Sequence, residues 1–143
     1  MNPDPTACPC GLGSSLEACC GPLVEGVEAA ASPERLMRSR YTAFTLGTSG
    51  AIDYLVESHH PDFRQPGLKP SLESTCKSIT WTGLTIVESS AAGPVGIVEF
   101  VATFDHDGEP HQLQERSSFV RESGKWLYTT GELDPAKNGP IHG

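Results

Sequence analysis

Four of the five cysteines lie within thirteen residues, at Cys8, Cys10, Cys19 and Cys20. They form a C-x-C pair, an eight-residue spacer and a C-C pair. Thiolates at this density suit a soft tetrahedral ion, and zinc with four sulfur ligands is the usual occupant. Two glycines in the spacer let the backbone turn round an ion. The sequence therefore predicts a structural Zn²⁺ site without an open position; two disulfides or unrelated buried thiols are the alternatives.

Two glutamates form the second group of residues whose side chains are suited to catalysis. The dipeptides Asp107-Gly108 and Ser123-Gly124 predict two-residue hairpin turns, which fix the register of three strands. In that register Glu115 lies opposite Phe100 on one neighbour and opposite Glu132 on the other. Two carboxylates in one pocket titrate as a pair, and one pKa is raised, which can make a general acid or base. Both glutamates are therefore candidate catalytic residues, unless they lie at the sheet edge or pair with arginines.

Three arginines, Arg35, Arg38 and Arg40, occur within six residues of the first predicted helix. Residues two apart on a helix do not share a face. At least one of Arg38 and Arg40 should therefore turn inward, where a guanidinium needs an anion. We expect one of them to pair with Glu115 and to clasp the helix to the sheet. The other residues expected at this clasp or pocket are Tyr41, Tyr54, Trp81, Ser117 and Tyr128.

Helical patterning precedes strand patterning along the chain. Ser32-Pro33-Glu34 predicts a helix start through a capping hydroxyl and an early proline, and Gly47 predicts its end. Two further helices are predicted, at about residues 49–60 and 71–78. Alternating apolar residues then predict four strands, at residues 81–87, 95–104, 111–120 and 126–133.

Short turns between the strands make neighbours antiparallel, so the strands form a meander. Helices followed by a sheet predict an α+β fold, with the helices packed on one face of an antiparallel sheet. We divide the chain into a zinc knob at 1–24, an α+β domain at 25–133 and a flexible tail at 134–143.

Charge and composition limit the class of partner. The formal net charge is −8, which argues against affinity for nucleic acid or an anionic membrane surface. No stretch approaches the roughly 18 apolar residues of a membrane span. The amino end lacks the basic start and apolar run of a signal peptide, so we expect a cytoplasmic protein.

Several separated motifs also carry a resemblance. They are Leu36-Met37-Arg38-Ser39-Arg40-Tyr41, Asp53-Tyr54-Leu55, His60-Pro61, Trp81-Thr82-Gly83-Leu84, Glu115-Arg116-Ser117 and Gly124-Lys125-Trp126. Together they resemble the YchJ-like family, uncharacterised bacterial proteins that join SEC-C elements to a nuclear-transport-factor-2-like (NTF2-like) domain. The cysteines and their spacer resemble the SEC-C motif, a zinc-binding element named from the SecA translocation ATPase.

The resemblance implies a cone in which a curved antiparallel sheet is partly closed by the helices, with a pocket between them. The chain departs from the family pattern in one respect. Many members carry a second SEC-C element at the carboxyl end, whereas this chain has no cysteine after Cys76. Isomerases, dehydratases, hydrolases and plain binding domains share the fold, so the fold does not decide the activity.

Two functions remain as hypotheses. The first is a zinc-binding adaptor or binding module whose partner is a protein or a small molecule. By analogy with other SEC-C elements, that partner belongs to protein export or translation, and a homodimer through the sheet is the expected assembly. The alternative is an isomerase, dehydratase or hydrolase that uses an acidic residue in the pocket. A closed pocket with a protonated Glu115 favours the enzyme, and a cone filled by Phe and Trp favours the adaptor.

Overall fold

Four helices precede a four-stranded antiparallel meander in the computed structural model, which describes residues 7–12, 15–133 and 138–140. The helices are α1 (Gly21–Val24), α2 (Pro33–Leu46), α3 (Ser49–Glu57) and α4 (Leu68–Ser78). The strands are β1 (Thr80–Ala92), β2 (Val95–His106), β3 (Glu109–Glu122) and β4 (Lys125–Leu133). The sheet is curved and the helices pack against it, so the predicted α+β fold is confirmed.

Helix α2 begins and ends where its sequence predicts. The Ser32 hydroxyl accepts a hydrogen bond from the Arg35 amide at 3.1 Å, which caps the first turn. Gly47 ends the helix with a φ of 62°, a left-handed conformation that glycine adopts without strain. The helix lies at the centre of the molecule, with α1 and α3 on one side and the sheet on the other.

Two tight turns set the register of the sheet. Asp107 and Gly108 have φ values of 52° and 80°, and Ser123 and Gly124 have 52° and 78°. Two successive positive φ values match the twist of the flanking strands. Phe100 lies opposite Glu115, as predicted.

A β-bulge changes the register further along β4. Phe119 opposes Tyr128, in agreement with the prediction. At the next position, Thr129 and Thr130 of β4 both face the single residue Ser118 of β3. The Thr129 hydroxyl donates to the Ser118 carbonyl at 2.9 Å. Every later side chain of β4 therefore lies on the face opposite to the predicted one.

The bulge separates the two candidate glutamates. Glu115 opposes Leu133, and Glu132 opposes Arg116. The predicted pairing of Glu115 with Glu132 is therefore wrong. It assumed unbroken alternation through β4, and one extra residue reverses the alternation. Glu132 is exposed on the face of the sheet that turns away from the helices.

Two apolar clusters hold the helices on the sheet, and α2 contributes to both. One lies between α2 and the sheet; its buried members are Leu36, Met37, Tyr41, Val98, Phe100, Ala102, Phe119 and Trp126. The other joins α2, α3 and α4; its buried members are Ala43, Ala51, Ile52, Leu55 and Leu72. The space between the two clusters borders the interior of the cone.

The carboxyl-terminal segment is described only at residues 138–140. Gly139–Pro140 forms a short strand, β5, which pairs with His111 and Gln112 of β3. The rest of the segment that we expected to be a flexible tail lies outside the described residues. In the described part of the chain, no helix has the length and apolar character needed to cross a membrane.

The close approach of β2 to α2 gives a first test. A Cβ on Gly96 would overlap the Pro33 ring and lie 3.2 Å from Cζ3 of Trp126. We expect Gly96→Ala to lower the free energy of unfolding by about 1–3 kcal/mol through overpacking, measured by urea denaturation. Gly50→Ala is the control, because nothing lies within 4 Å of a Cβ there. Equal destabilisation in the two variants would contradict this packing.

Candidate metal centre and interior cavity

The four clustered cysteines converge on one point. The Sγ atoms of Cys8, Cys10, Cys19 and Cys20 all lie within 4.8 Å of one another, and all four residues are buried. The Cys10 and Cys19 sulfurs are 3.5 Å apart, and those of Cys19 and Cys20 are 3.9 Å apart. Tetrahedral sulfur ligands at about 2.3 Å from zinc lie about 3.8 Å from each other. All five cysteines are free thiols, and this cysteine cluster can hold a metal ion.

Two short turns place the sulfurs. The Gly11 amide donates to the Cys8 carbonyl at 3.2 Å, and Gly11 has a φ of 86°. The second turn is a 3-10 helix at Leu16–Ala18, which is capped by the Ser15 hydroxyl. It delivers Cys19 and Cys20 to the start of α1. The second pair of sulfurs therefore depends on local hydrogen bonds as much as on a metal.

Helix α2 supplies the second layer of contacts around the cysteine cluster. Arg35 donates to the Cys19 sulfur at 3.4 Å and to the Cys19 carbonyl at 3.3 Å. Arg38 donates to the Cys10 carbonyl at 2.7 Å. Four thiolates around a divalent ion carry two negative charges, and these two guanidinium groups offset that charge. The cluster is thus docked on α2 by charge-assisted hydrogen bonds.

Without a bound cation, the four clustered cysteines do not all ionise together. The pKa of Cys10 is lowered to about 4, chiefly by its hydrogen bond with Cys20. The pKa of Cys19 is raised by burial, and that of Cys20 is raised by its hydrogen bond with Cys10. One sulfur is therefore ionised at the expense of its neighbours. Ionising all four requires a cation among them, which is the chemistry of a thiophilic metal site.

The contact between Arg35 and Cys19 gives a second test. We expect Arg35→Met to weaken metal binding about 10- to 100-fold, because partners of the ligands orient them and offset their charge. Competition with a chromophoric chelator measures the affinity. Arg116→Met removes an arginine from the far face of the sheet and is the control. An unchanged affinity in Arg35→Met would show that this contact has no effect on the site.

The second candidate site is the cone cavity, an interior space of about 360 Å³ between α2, α4 and the sheet. Its wall is mostly apolar, and its volume is in the range of small-molecule sites. Five of the predicted pocket residues line it, namely Arg40, Tyr41, Trp81, Glu115 and Tyr128. The cone is therefore not filled by its own aromatic side chains.

Arg40 is the buried cation of the cone cavity. It is 5% exposed, and its guanidinium lies 4.7 Å from the centre of the Tyr128 ring. Its Nη1 donates to the Leu55 carbonyl at 2.8 Å and to the Ser58 hydroxyl at 2.6 Å, both at the end of α3. Burial lowers the pKa of Arg40 to about 10, so the group is charged at neutral pH.

The structure differs from the predicted clasp. Among the described residues, no ion pair joins an arginine to Glu115. Arg38 pairs with Glu34 at 2.9 Å, four residues earlier on α2. Arg40 instead donates its hydrogen bonds to the carboxyl end of α3, where free carbonyl groups attract a cation. Glu115 accepts a hydrogen bond from Ser117 and attracts Arg40 only at longer range.

Three predicted residues lie outside the cavity lining. Arg38 lies against the cysteine cluster, and Ser117 is fully buried beside Glu115. The Tyr54 hydroxyl lies 2.6 Å from the Ser39 hydroxyl, on the other side of α2. Burial raises the pKa of Tyr54. Arg38, Ser117 and Tyr54 therefore contact other parts of the fold and do not face the cone cavity.

The His59 side chain lines the cone cavity, which is the less favoured of two interpretations of its place in the sequence. Its position before His60-Pro61 is typical of a helix end, and α3 does end at Glu57. The backbone then bridges to β4 beside Tyr128, which turns the His59 ring inward. The ring lies edge-on to Tyr128, with centroids 5.0 Å apart. The pairing of His59 with the strand is long-range, and no local pattern signals it.

Titration of His59 gives a third test. Burial lowers the pKa of His59 below its usual 6.5, and the charges of Arg40 and Arg64 lower it further. The native state therefore holds His59 neutral, and its contribution to stability is present above pH 6.5 and is lost as the pH falls. We expect an NMR titration midpoint for the His59 ring below 6.5, and Arg64→Gln should move it upward.

Lys77→Gln removes one positive charge from an exposed position of α4 and is the control for Arg64→Gln. It should leave the His59 midpoint unchanged. A midpoint at or above 6.5 in the native protein would show that the ring is neither buried nor close to the arginines.

Known proteins share this architecture. A family model described as YchJ, middle NTF2-like domain, matches residues 32–131. A SEC-C motif containing protein from Rhodopseudomonas palustris, determined in solution, is 36% identical, with 87% of this chain and 96% of that chain covered and a TM-score of 0.78. One from Psychrobacter arcticus is 24% identical, with 94% and 84% covered and a TM-score of 0.72.

A protein from Exiguobacterium sibiricum described as a Ca/calmodulin-dependent kinase II association domain shares the fold. It is 13% identical, with 81% of this chain and 98% of that chain covered and a TM-score of 0.57. The segment matched by the family model runs from the cap of α2 into β4. It contains all the residues that line the cone cavity, and the cysteine cluster precedes it.

Proposed function

Because the chain belongs to the YchJ-like family of SEC-C proteins with an NTF2-like domain, we propose that it is a cytoplasmic zinc-binding module whose cone binds a small molecule or a protein partner. The observation that carries the proposal is the convergence of four buried sulfurs on one point beside α2. The same helix forms one wall of the cone cavity.

Zinc is the ion that the donor set favours. Four sulfurs with no oxygen or nitrogen donor match a closed structural zinc site. With four protein ligands the ion has no position for water, so it orders the chain and activates nothing. Bound there, it would join the two turns that carry Cys8-Cys10 and Cys19-Cys20, which a bridge between Ala7 and Ser15 also links.

A binding role is favoured by the arrangement around α2. One side of the helix holds the cysteine cluster through Arg35 and Arg38, and the other side presents Arg40 and Tyr41 to the cone cavity. An adaptor needs a rigid docking element and a second surface for a ligand. The two sides of α2 offer both, and the SEC-C analogy with protein export or translation supplies the class of partner.

The enzyme alternative is weakened by the position of the carboxylates. Within the described residues, Glu115 is the one acidic side chain that lines the cone cavity, and Glu132 lies on the opposite face. A pair of carboxylates with split pKa values is therefore not available there. The other face of the sheet carries an ion pair of Arg116 with Glu99 at 3.1 Å; it is the surface that a homodimer through the sheet would use.

Metal analysis tests the proposal. We expect native mass spectrometry of protein purified from cells to show one zinc per chain. Cys10→Ser should lose the metal, because it removes one of four ligands. Cys76→Ser should retain it, since Cys76 lies on α4 away from the cysteine cluster. The same spectrum reports a dimer or a retained ligand.

Chelation provides the second readout. Removing zinc should disorder the residues before about Pro22 while the amide shifts of the sheet persist, because the sheet and helices have apolar clusters of their own. Metal-free protein with an ordered cysteine cluster, or loss of all tertiary shifts on chelation, would contradict a structural zinc site that orders only the amino-terminal segment.

A further inference from the structure

Two buried nitrogen atoms beside the cone cavity have no hydrogen-bond partner. They are Nε1 of Trp81 and Nε2 of His59, the buried side-chain nitrogen and oxygen atoms left unpaired in the described part of the chain. Both residues line the cavity. A buried polar atom without a partner is unfavourable, so two of them beside one cavity indicate a site that is completed by a ligand.

The two atoms lie toward different ends of the cavity. Trp81 opposes Phe104 on β2, whereas Glu115 opposes Phe100, four residues or about 13 Å along the same strand. Phe44 and Tyr41 flank Trp81, with ring centroids 6.0 and 5.9 Å away. The end near Trp81 is therefore lined by aromatic rings and has a single N–H donor, because the indole nitrogen only donates.

The other end holds the polar groups. His59 packs edge-on against Tyr128, and the Arg40 guanidinium lies over the same ring. Both hydrogen bonds that Arg40 makes to described residues use Nη1, and Arg40 is also one of the residues that line the cavity. The Glu115 carboxylate and the Tyr128 hydroxyl meet beside Gly131, where a Cβ would overlap the carboxylate and lie 2.9 Å from the hydroxyl. Glycine at this position leaves room for the carboxylate and the hydroxyl.

The charges of the wall offset one another. Arg40 contributes one positive charge and Glu115 one negative charge, and His59 is kept neutral by burial and by the neighbouring arginines. A charged ligand would lose its hydration in a mostly apolar cavity without meeting a net opposite charge. A neutral ligand avoids that cost.

We infer that the cone cavity binds a neutral, largely apolar small molecule with an oxygen function at each end. One oxygen accepts from Nε1 of Trp81. The other is a hydroxyl, which serves His59 whether Nε2 donates or accepts, and which also reaches Glu115 or Arg40. The inference rests on the proposed binding role of the cone and names the ligand chemistry of that site.

Naphthalene derivatives of one size test this chemistry. The probes are 2,6-dihydroxynaphthalene with a hydroxyl at each end, 2-naphthol with one, the anion 2-naphthoate and the cation 2-naphthylmethylammonium. They are titrated into zinc-loaded protein while the two indole N–H signals are followed by NMR. The Trp81 signal should shift saturably. The Trp126 signal should not, because Trp126 is buried elsewhere and does not line the cavity.

The polar and charged groups of the cavity wall predict the order in which the probes bind. The diol should bind about 2- to 10-fold tighter than 2-naphthol, the range of one hydrogen bond. Both charged probes should bind at least about 10-fold more weakly than 2-naphthol. Trp81→Phe keeps an aromatic ring and removes the donor and its N–H signal, so binding to this variant is followed by the His59 ring signals. The advantage of the diol should disappear in it while 2-naphthol still binds. Glu115→Gln removes the negative charge and should improve 2-naphthoate alone.

Three outcomes would overturn the inference. The first is the absence of a saturable Trp81 shift with any probe at millimolar concentration. The second is tighter binding of 2-naphthoate or of the ammonium probe than of 2-naphthol. The third is an unchanged diol advantage in Trp81→Phe. None of these outcomes depends on the metal. If zinc binds at the four sulfurs but no probe shifts the Trp81 signal, the ligand inference is wrong and the proposal of a zinc-binding module with a protein partner stands. If the Trp81 signal shifts but the protein contains no zinc, only the proposed metal role is wrong.

Discussion

The burial of α2 is the constraint on which the rest of the structure depends. Its polar residues Ser39 and Thr42 are fully buried, and Arg40 is 5% exposed. A buried polar group is tolerated only with a partner, so the surroundings of the helix must supply one for each. Ser39 meets the Tyr54 hydroxyl, Thr42 lies 3.6 Å from the Cys8 sulfur, and Arg40 is held by the end of α3. These contacts fix the cysteine cluster and α3 against α2.

This arrangement makes α2 a shared wall between two chemically different sites. The cysteine side is polar: Arg35 and Arg38 donate to the Cys19 sulfur and to the carbonyl groups of Cys19 and Cys10. The cavity side is apolar, with one cation and one carboxylate that do not touch. Because a helix is rigid over four turns, order at the cysteine cluster and the shape of the cavity depend on the same element.

The separation of Arg40 from Glu115 decides what the cone cavity can do. A direct ion pair would have closed this end and neutralised both groups. Instead, Arg40 donates to the Leu55 carbonyl and the Ser58 hydroxyl, and Glu115 accepts from the Ser117 hydroxyl. The bulge at Thr129 and Thr130 acts in the same direction, because it removes Glu132 from the interior and brings Gly131 against Glu115. Both features favour an open binding cavity over a two-carboxylate catalytic site.

The sequence by itself determined the features that depend on neighbours in the chain. The cysteine spacing predicted the convergence of sulfurs, the Ser32 cap and Gly47 bounded α2, and the Asp107-Gly108 and Ser123-Gly124 turns fixed most of the sheet register, because each is a local conformational preference. Tertiary structure alone decided the partner of Arg40, the inward turn of His59 and the face of Glu132. The first two depend on the end of α3 meeting other elements far along the chain, and the third depends on one extra residue in β4 whose threonines are as typical of regular strand as of a bulge.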